Sequence, residues 1–439
     1  MIPNKSFFFN KKILIYGLGK SGLSVFNFLK KQNHLLIFDD EDQKKNKFLA
    51  SNKISLKNID QEKFDCIILS PGIDIKKCKL SKILLNNSDK IFTDLDIFYS
   101  YYGKNNESIA ITGTNGKSTT AQILYEILSS QKKDVRIVGN IGNPILSEKK
   151  ISKNTFFVIE TSSYQLEYSQ LFRSKYSVIL NISADHLERH GNLKNYINAK
   201  FKLLEQKKSN SIVFLNKYDF HTKKKIKSKK YNNRIINVDT KKNDILIKNI
   251  NNEYFKSDGN KENLNFAIAI SKQLRIKKKV ILNSLKKFKG LKFRQQLIYE
   301  DKNLKVINDS KSTSFASTES SLKNLKNVYW ILGGIPKKGD SFNMKKKECK
   351  NFKAFIFGKN YLIFLKELKS KINCKISKDI KTSLKSILDE ISKKMIYEKI
   401  TILFSPASAS FDEFKNFEER GEYFNKLVNS LFNGKNKIN

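Results

Sequence analysis

Cysteine is scarce in this chain: Cys66, Cys78, Cys349 and Cys374 are the only four in 439 residues. They form no C-x-x-C pair and no metal-ligand spacing, so neither a disulfide framework nor a cysteine-held zinc site is expected. Five prolines and 18 glycines exclude a collagen-like or Pro/Gly-rich linker protein. Long apolar runs are missing too. Phe7-Phe8-Phe9 is cut short by Asn10, Lys11 and Lys12, and no stretch reaches the ~18 apolar residues of a membrane span. A cytoplasmic protein with no membrane span is expected.

Arginine is the other scarcity. Only seven of the 84 basic residues are arginine, against a net charge of +42. Such a charge ordinarily raises nucleic acid or anionic membrane as a partner. A phosphate-reading face, however, favours the bidentate arginine fork. The lysines are instead spread along the chain, with short runs at Lys223–Lys225, Lys277–Lys279 and Lys345–Lys347. They read as solvated surface, and no nucleic-acid partner is expected. At roughly 150 residues per domain the length suggests about three domains.

The first segment, 1–104, opens with the strand pattern Lys12-Ile13-Leu14-Ile15-Tyr16 and the turn Gly17-Leu18-Gly19-Lys20-Ser21-Gly22. A helical pattern and a second strand ending in Asp39-Asp40 follow, with Asp39 22 residues after Gly17. Strand, G-x-G-x-x-G, helix, strand and acid make a dinucleotide fingerprint, in which glycines let a diphosphate approach a helix N-terminus. Taken alone, the motif also fits an NAD-dependent dehydrogenase. Cys66–Leu69 is a further strand, running into Ser70-Pro71-Gly72.

The second segment, 105–290, contains the strand Ser108–Ile111 and then Thr112-Gly113-Thr114-Asn115-Gly116-Lys117-Ser118-Thr119-Thr120. Ile123, Leu124, Ile127 and Leu128 share the face of the helix that follows. A glycine-rich turn between strand and helix offers backbone N–H groups to phosphate oxygens. Lys117 adds positive charge and Ser118 can ligate Mg²⁺. Ile111 stands where the standard Walker A loop has its first glycine, so the loop is a shortened variant. A second phosphate loop argues against the dehydrogenase. Two more strands end in polar clusters, one at Glu160-Thr161-Ser162-Ser163-Tyr164-Gln165 and one at Asn181-Ile182-Ser183-Ala184-Asp185-His186. Ligands of parallel α/β sheets sit beyond the strands' carboxyl ends, so Glu160, His186 and the Lys117 loop are expected at one edge. Glu160 is there placed to hold Mg²⁺.

The third segment, 291–439, repeats the pattern of strands running into polar turns, at Asn308-Asp309-Ser310-Lys311-Ser312-Thr313, Gly333-Gly334-Ile335-Pro336-Lys337-Lys338 and Ser405-Pro406-Ala407-Ser408-Ala409-Ser410. The whole chain therefore reads as α/β, with a Rossmann-like N-terminal domain, a central P-loop ATPase-like parallel sheet and a Rossmann-like C-terminal domain.

With these residues assembled, the chain resembles the Mur ligase family. The loop Thr112–Thr120, the stretch Glu160–Glu167, Asp185-His186-Leu187-Glu188-Arg189-His190, Asn308–Lys311 and Ser405–Gly421 carry the resemblance across all three segments. The last stretch is similar to the signature of the D-glutamate-adding member; a sister ligase adding L-alanine to UDP-N-acetylmuramate is the alternative. The resemblance implies an ATP-dependent amide ligase of peptidoglycan precursor synthesis, in which UDP-N-acetylmuramoyl-L-alanine is phosphorylated on its carboxylate and attacked by D-glutamate. Lys117, His186, Lys200 and Asn140 are implied as catalytic. Ser118, Glu160, His186 and a carbamylated Lys200 would hold Mg²⁺. ATP would meet Gly113 to Thr119, Asn263, Arg294 and Asp309. The UDP-substrate would meet Gly17, Leu18, Gly19, Lys20, Ser21, Asp39, Ser70, Pro71, Gly72, Asn140, Ser162 and Arg189. D-glutamate would meet Lys311, Thr313, Lys337, Ser410 and Phe417. Three places depart from the pattern the resemblance implies: Gly259 and Phe293 stand where histidine is usual, and Gly333-Gly334-Ile335-Pro336-Lys337 replaces a more acidic loop, which leaves Lys338 as the alternative to Lys337. A monomer is expected.

Overall fold

Most of the strand segments are unbroken apolar runs rather than alternating ones, the pattern of parallel strands covered on both faces. The computed structural model describes residues 5–40, 47–205, 211–229, 231–241, 249–323, 325–337, 339–393 and 398–432, and in it these runs build three sheets. The chain divides into two compact units, Met1–Phe288 and Lys289–Asn439.

The first unit holds two sheets. Strands β1 (Lys12–Tyr16), β2 (His34–Phe38), β3 (Cys66–Leu69) and β4 (Ile91–Phe92) lie in the order β2-β1-β3-β4, all parallel. Side chains alternate between faces. Ile13 and Ile15 pack with Val25 and Leu29 of helix α1 (Lys20–Leu29), while Leu14 and Tyr16 pack with Ile67, Leu69 and Leu84 on the other side. After helix α2 (Asp94–Tyr102) comes the second sheet: β5 (Ser108–Thr112), β6 (Val135–Gly139), β7 (Phe156–Glu160), β8 (Tyr176–Ile179), β9 (Ile212–Asn216) and β10 (Arg234–Val238). Its order, β10-β9-β8-β5-β7-β6, sets β5 between β8 and β7. Helices α3 (Lys117–Ser129), α4 (Ser163–Tyr168), α5 (Leu193–Glu205) and α6 (Asp258–Gln273) cover it.

The second unit has β11 (Gln296–Glu300), β12 (Leu304–Asn308), β13 (Val328–Gly333), β14 (Phe352–Phe357), β15 (Asn373–Ser377) and β16 (Ile400–Phe404), ordered β11-β12-β16-β13-β14-β15. Only the β11 pairing is antiparallel among the described strands. Helix α7 (Phe417–Phe432) packs Phe424 and Val428 against this sheet.

One carboxylate ties the first sheet's end to the second sheet. Asp96 is fully buried on α2. Its Oδ2 accepts from Thr93 N (2.7 Å) and Thr93 Oγ1 (3.1 Å). Its Oδ1 accepts from Ser169 Oγ (2.7 Å) and from the amides of Gln170, Leu171 and Phe172 (3.0, 2.7 and 3.0 Å). Burial pushes the Asp96 carboxyl up, and these donors oppose the shift. Each buried donor left unpaired costs about 1–3 kcal/mol. Asp96→Ala should therefore lose at least ~3 kcal/mol in urea unfolding; an unchanged midpoint would show that the cluster does not hold the segments together.

Candidate active site

The central place of β5 gathers three loops. Ile111 pairs with Glu160 on one side, and Thr112 with Ile179 on the other. The loop 113–116 is therefore flanked by the ends of β7 and β8, where open parallel α/β sheets place their ligands. Thr114 N donates to Asn181 O (2.9 Å), and Asn115 N donates to Asn181 Oδ1 (2.9 Å). Thr114 Oγ1 accepts from Ser183 N (3.0 Å) and lies 3.1 Å from Tyr196 Oη. Gly116 takes φ +82°, and a Cβ there would fall 2.0 Å from Asn263 Oδ1. Asn263 is buried on α6 and also accepts from Thr120 Oγ1 (3.3 Å). The loop is thus braced from both sides, with the N-terminus of α3 opening beneath it.

Two lysines converge on one carbonyl oxygen. Lys117 Nζ donates to Gly113 O at 2.9 Å and to Thr114 O at 2.8 Å. Lys200 Nζ donates to the same Gly113 O at 2.8 Å, with its ammonium 4.4 Å from the centre of the Tyr196 ring. Lys200 is 1 % exposed. Burial, and then the Lys117 charge, push its amine well below the ordinary lysine range, against the opposing pull of Asp185 and Glu160. A neutral amine is the form that combines with carbon dioxide.

Glu160 is buried at the end of β7. Its Oε1 accepts from Asn140 Nδ2 at 2.8 Å, and Asn140 N donates to Glu160 O at 3.0 Å. Its Oε2 is buried and has no hydrogen-bond partner among the described residues. An orphaned buried carboxylate oxygen is costly, and a hard cation would satisfy it. No cluster of three His, Cys, Asp or Glu side chains suited to a metal occurs among the described residues. The donors here are one carboxylate, the buried Ser118 at the start of α3, His186 and the Lys200 amine. That set fits Mg²⁺ if Lys200 carries a carbamate.

His186 sits in left-handed backbone (φ 52°, ψ 34°), with its side chain partly exposed. Its Nδ1 is 2.9 Å from Tyr164 Oη and 3.6 Å from Glu188 Oε1; its Nε2 is 3.5 Å from Asp185 Oδ2. Burial pushes the Tyr164 phenol up to about 12, so it stays protonated. His190 is buried, with Nε2 3.0 Å from Ser163 Oγ, and burial lowers it to about 4. Arg189 donates from Nε to Glu167 Oε2 (3.3 Å) and from its terminal nitrogens to Gly72 O (3.5 Å) and Ile73 O. Ser162 caps α4 in a reciprocal pair with Gln165. Sequence reading passed over Tyr164, Asn181 and Tyr196 as site residues; all three lie in polar or helical stretches beside named ones.

In the first sheet, Ser70 Oγ donates to Gly17 O (2.7 Å) and Leu18 N donates to Asp39 Oδ2 (2.5 Å), so the glycine turn is held by Ser70 and Asp39. Gly22 is obligatory, since a Cβ would lie 1.8 Å from Gly17 O. Gly19 and Lys20, at the start of α1, are exposed, and Ser21 is half-buried.

In the second unit, Asp309 is buried and saturated. Its Oδ2 accepts from Ser312, Ser321 and Ser405 hydroxyls (2.7, 2.9 and 2.9 Å), and its Oδ1 from Gln295 N (3.1 Å). Half-buried Arg294 stands between Phe293 and Gln295, both with positive φ (60° and 46°). Lys311 Nζ lies 4.9 Å from the centre of the Phe417 ring. Arg420 is buried and donates to Ser310 O and Ser408 O (both 2.9 Å), fixing the loops that carry Lys311 and Ser410. Ser410 is buried, Thr313 half-buried and Lys337 exposed. Lys338 lies outside the described residues.

A model of the Mur ligase middle domain matches residues 111–286, and one of the Mur ligase MurD-like N-terminal domain matches residues 11–91. A protein of Rickettsia bellii named UDP-N-acetylmuramoylalanine--D-glutamate ligase is 34% identical, over 96% of this chain and 98% of its own. One of the same name from Buchnera aphidicola is 37% identical over 97% and 99%. Among solved structures, UDP-N-acetylmuramate-alanine ligase MurC of Thermotoga maritima superposes with a TM-score of 0.54 at 16% identity, over 96% and 100% of the two chains. MurF ligase of the same organism, in complex with ADP, gives 0.55 at 14%, over 97% and 99%. These two share the fold.

Gly116→Ala should leave the fold intact but weaken nucleotide binding at least ~10-fold, since it displaces Asn263 and strains the loop; wild-type affinity by calorimetry would contradict the bracing. Because His190 holds its proton only below about 4 when folded, against about 6.5 unfolded, stability present above pH 6.5 is lost as pH falls toward 4. The window is worth roughly 3 kcal/mol. His190→Gln should flatten the fall in unfolding free energy between pH 6.5 and 4.5, and an equally steep fall would refute the assignment.

Proposed function

The chain belongs to the Mur ligase family, and we propose that it joins D-glutamate to UDP-N-acetylmuramoyl-L-alanine at the expense of ATP, in cytoplasmic peptidoglycan precursor synthesis. The full-length similarity to two relatives of that name supports the substrates. The convergence of Lys117 and buried Lys200 on Gly113 O, beside the orphaned Glu160 oxygen, carries the chemistry.

The alanyl carboxylate attacks the γ-phosphorus of ATP, ADP departs, and an acyl phosphate remains. The amine of D-glutamate then attacks the acyl carbon, loses a proton, and expels phosphate. Like charges meet in the first step, so catalysis needs fixed cations at the transferring group. Lys117 leaves its two loop carbonyls to reach the phosphates, the loop Gly113 to Asn115 lines them, and the N–H groups of Gly116 to Thr119 at the start of α3 cradle them. Bound Mg²⁺ would supply further positive charge; Ser118, Glu160, His186 and a carbamate on Lys200 are the residues to hold it. Asn140, fixed by Glu160, faces the acyl group. Asn263, Arg294 and Asp309 serve the nucleotide, the latter two through the strained Phe293–Gln295 turn that Asp309 anchors. The Gly17–Ser21 turn, Asp39, Ser70-Pro71-Gly72, Ser162 and Arg189 serve the uridine diphosphate substrate, with Asp39 and Arg189 supporting the loops they bond. Lys311, Thr313, Lys337, Ser410 and Phe417 serve D-glutamate, whose two carboxylates suit the lysines. The domains run 1–104, 105–290 and 291–439, and the protein acts as a monomer.

Phosphate release from ATP with UDP-N-acetylmuramoyl-L-alanine should depend on D-glutamate and not on L-glutamate, giving a product one glutamate heavier. Release only with UDP-N-acetylmuramate and L-alanine would transfer the chain to the sister activity. Lys117→Ala should cut turnover at least ~10²-fold; near-normal turnover would remove it from the mechanism. Depleting carbon dioxide should lower activity reversibly, and ¹³C-bicarbonate should label one carbamate that Lys200→Ala lacks. Full activity without carbon dioxide would exclude the modification.

A further inference from the structure

We propose that Tyr164 is a positioning residue that fixes the His186 ring, accepting a hydrogen bond from Nδ1–H and so presenting Nε2 to the cation. The proposal rests on the reading of His186 as a metal ligand. A neutral imidazole carries one N–H, and a nitrogen that binds a cation must keep its lone pair. If Nε2 is that nitrogen, Nδ1 holds the proton and needs an acceptor. Tyr164 Oη stands 2.9 Å from Nδ1, within hydrogen-bond range, whereas Glu188 Oε1 at 3.6 Å is beyond it. On the other side Nε2 faces Asp185 Oδ2 at 3.5 Å, so a cation there would have a carboxylate beside it.

The tyrosine is itself held. It is the second residue of α4, whose start is closed by the Ser162–Gln165 pair. The Arg189 guanidinium lies 5.1 Å from its ring centre, and the His190 ring is 5.7 Å away at 33°. Arg189 is in turn fixed by Glu167 and by backbone carbonyls, and His190 by Ser163. The His186 backbone adds its own constraint: a non-glycine residue in left-handed conformation, with its amide bonded to Asp185 Oδ1 at 3.0 Å. Such strain is kept where the surroundings over-determine it, as they do at binding sites. The ring is therefore aimed from the backbone and registered by one hydroxyl.

Tyr164→Phe removes that hydroxyl and keeps the ring packing. The test uses the full chain labelled with ¹⁵N-histidine; with only four histidines, His186 is assigned by its absence in His186→Ala. In the wild type with Mg²⁺ and ATP-site nucleotide, His186 should show the Nδ1–H form. In Tyr164→Phe that form should appear only at about 10-fold higher Mg²⁺, and half-saturating Mg²⁺ for turnover should rise by the same factor, the usual consequence of removing an outer partner of a ligating histidine. If His186→Ala leaves the Mg²⁺ requirement unchanged, the metal-ligand reading fails and the proposal with it. If His186→Ala raises it but Tyr164→Phe alters neither the requirement nor the ring nitrogens, the positioning role alone is overturned.

Discussion

The crowding of positive charge around the Gly113 carbonyl is the constraint from which the rest of the site follows. Two lysine nitrogens share one acceptor, and the more buried of them is driven toward its neutral form by desolvation and by its neighbour. A site in that condition is unfinished. It gains by receiving anions, and it gains again if Lys200 itself becomes an anion. The first change is what binding the phosphates of ATP brings. The neighbouring Glu160 holds a carboxylate oxygen with no hydrogen-bond partner among the described residues, so cation and anion are each wanted close together. Electrostatic preorganisation of this kind costs stability in the resting protein and returns it in the transition state.

The scaffold makes that crowding tolerable by fixing everything around it. β5 lies in the interior of its sheet, so its loop is braced laterally by Asn181 and Ser183 and from beneath by Asn263. Loops that would otherwise relax away from repulsion have nowhere to go. Asp96 performs the same service at longer range, gathering six donors from two segments into one buried carboxylate. In the second unit Asp309 and Arg420 repeat the device with opposite charges, each holding loops of serines.

What could be read from the sequence follows burial. The strands named from apolar runs (β1, β2, β3, β5, β7, β8, β12, β13 and β16) are nearly all interior to their sheets. Those passed over include β4, β6, β10, β11 and β15, every one an edge strand. An edge has one neighbour and one solvated flank, so sequences such as Asn373–Ser377 admit lysine and asparagine and lose the signal. β9 is the exception, apolar and interior, and running into the polar turn Asn216-Lys217-Tyr218-Asp219. In the site, Lys117, Glu160 and His186 were legible because each stands at or beyond the carboxyl end of a strand. Tyr164 and Tyr196 were not, since a tyrosine on a helix declares nothing until its neighbour across space is known.

Arginine scarcity acquires a meaning once the buried side chains are seen. Arg189 and Arg420 each spread their guanidinium over several acceptors in diverging directions, a geometry that a single ammonium cannot copy. In a chain that answers nearly every demand for positive charge with lysine, Arg189 and Arg420 stand where shape as well as charge is required. The two cations behave here as different letters with different messages. Lys117 and Lys200 aside, lysine reports the composition of the chain, while Arg189 and Arg420 report its architecture.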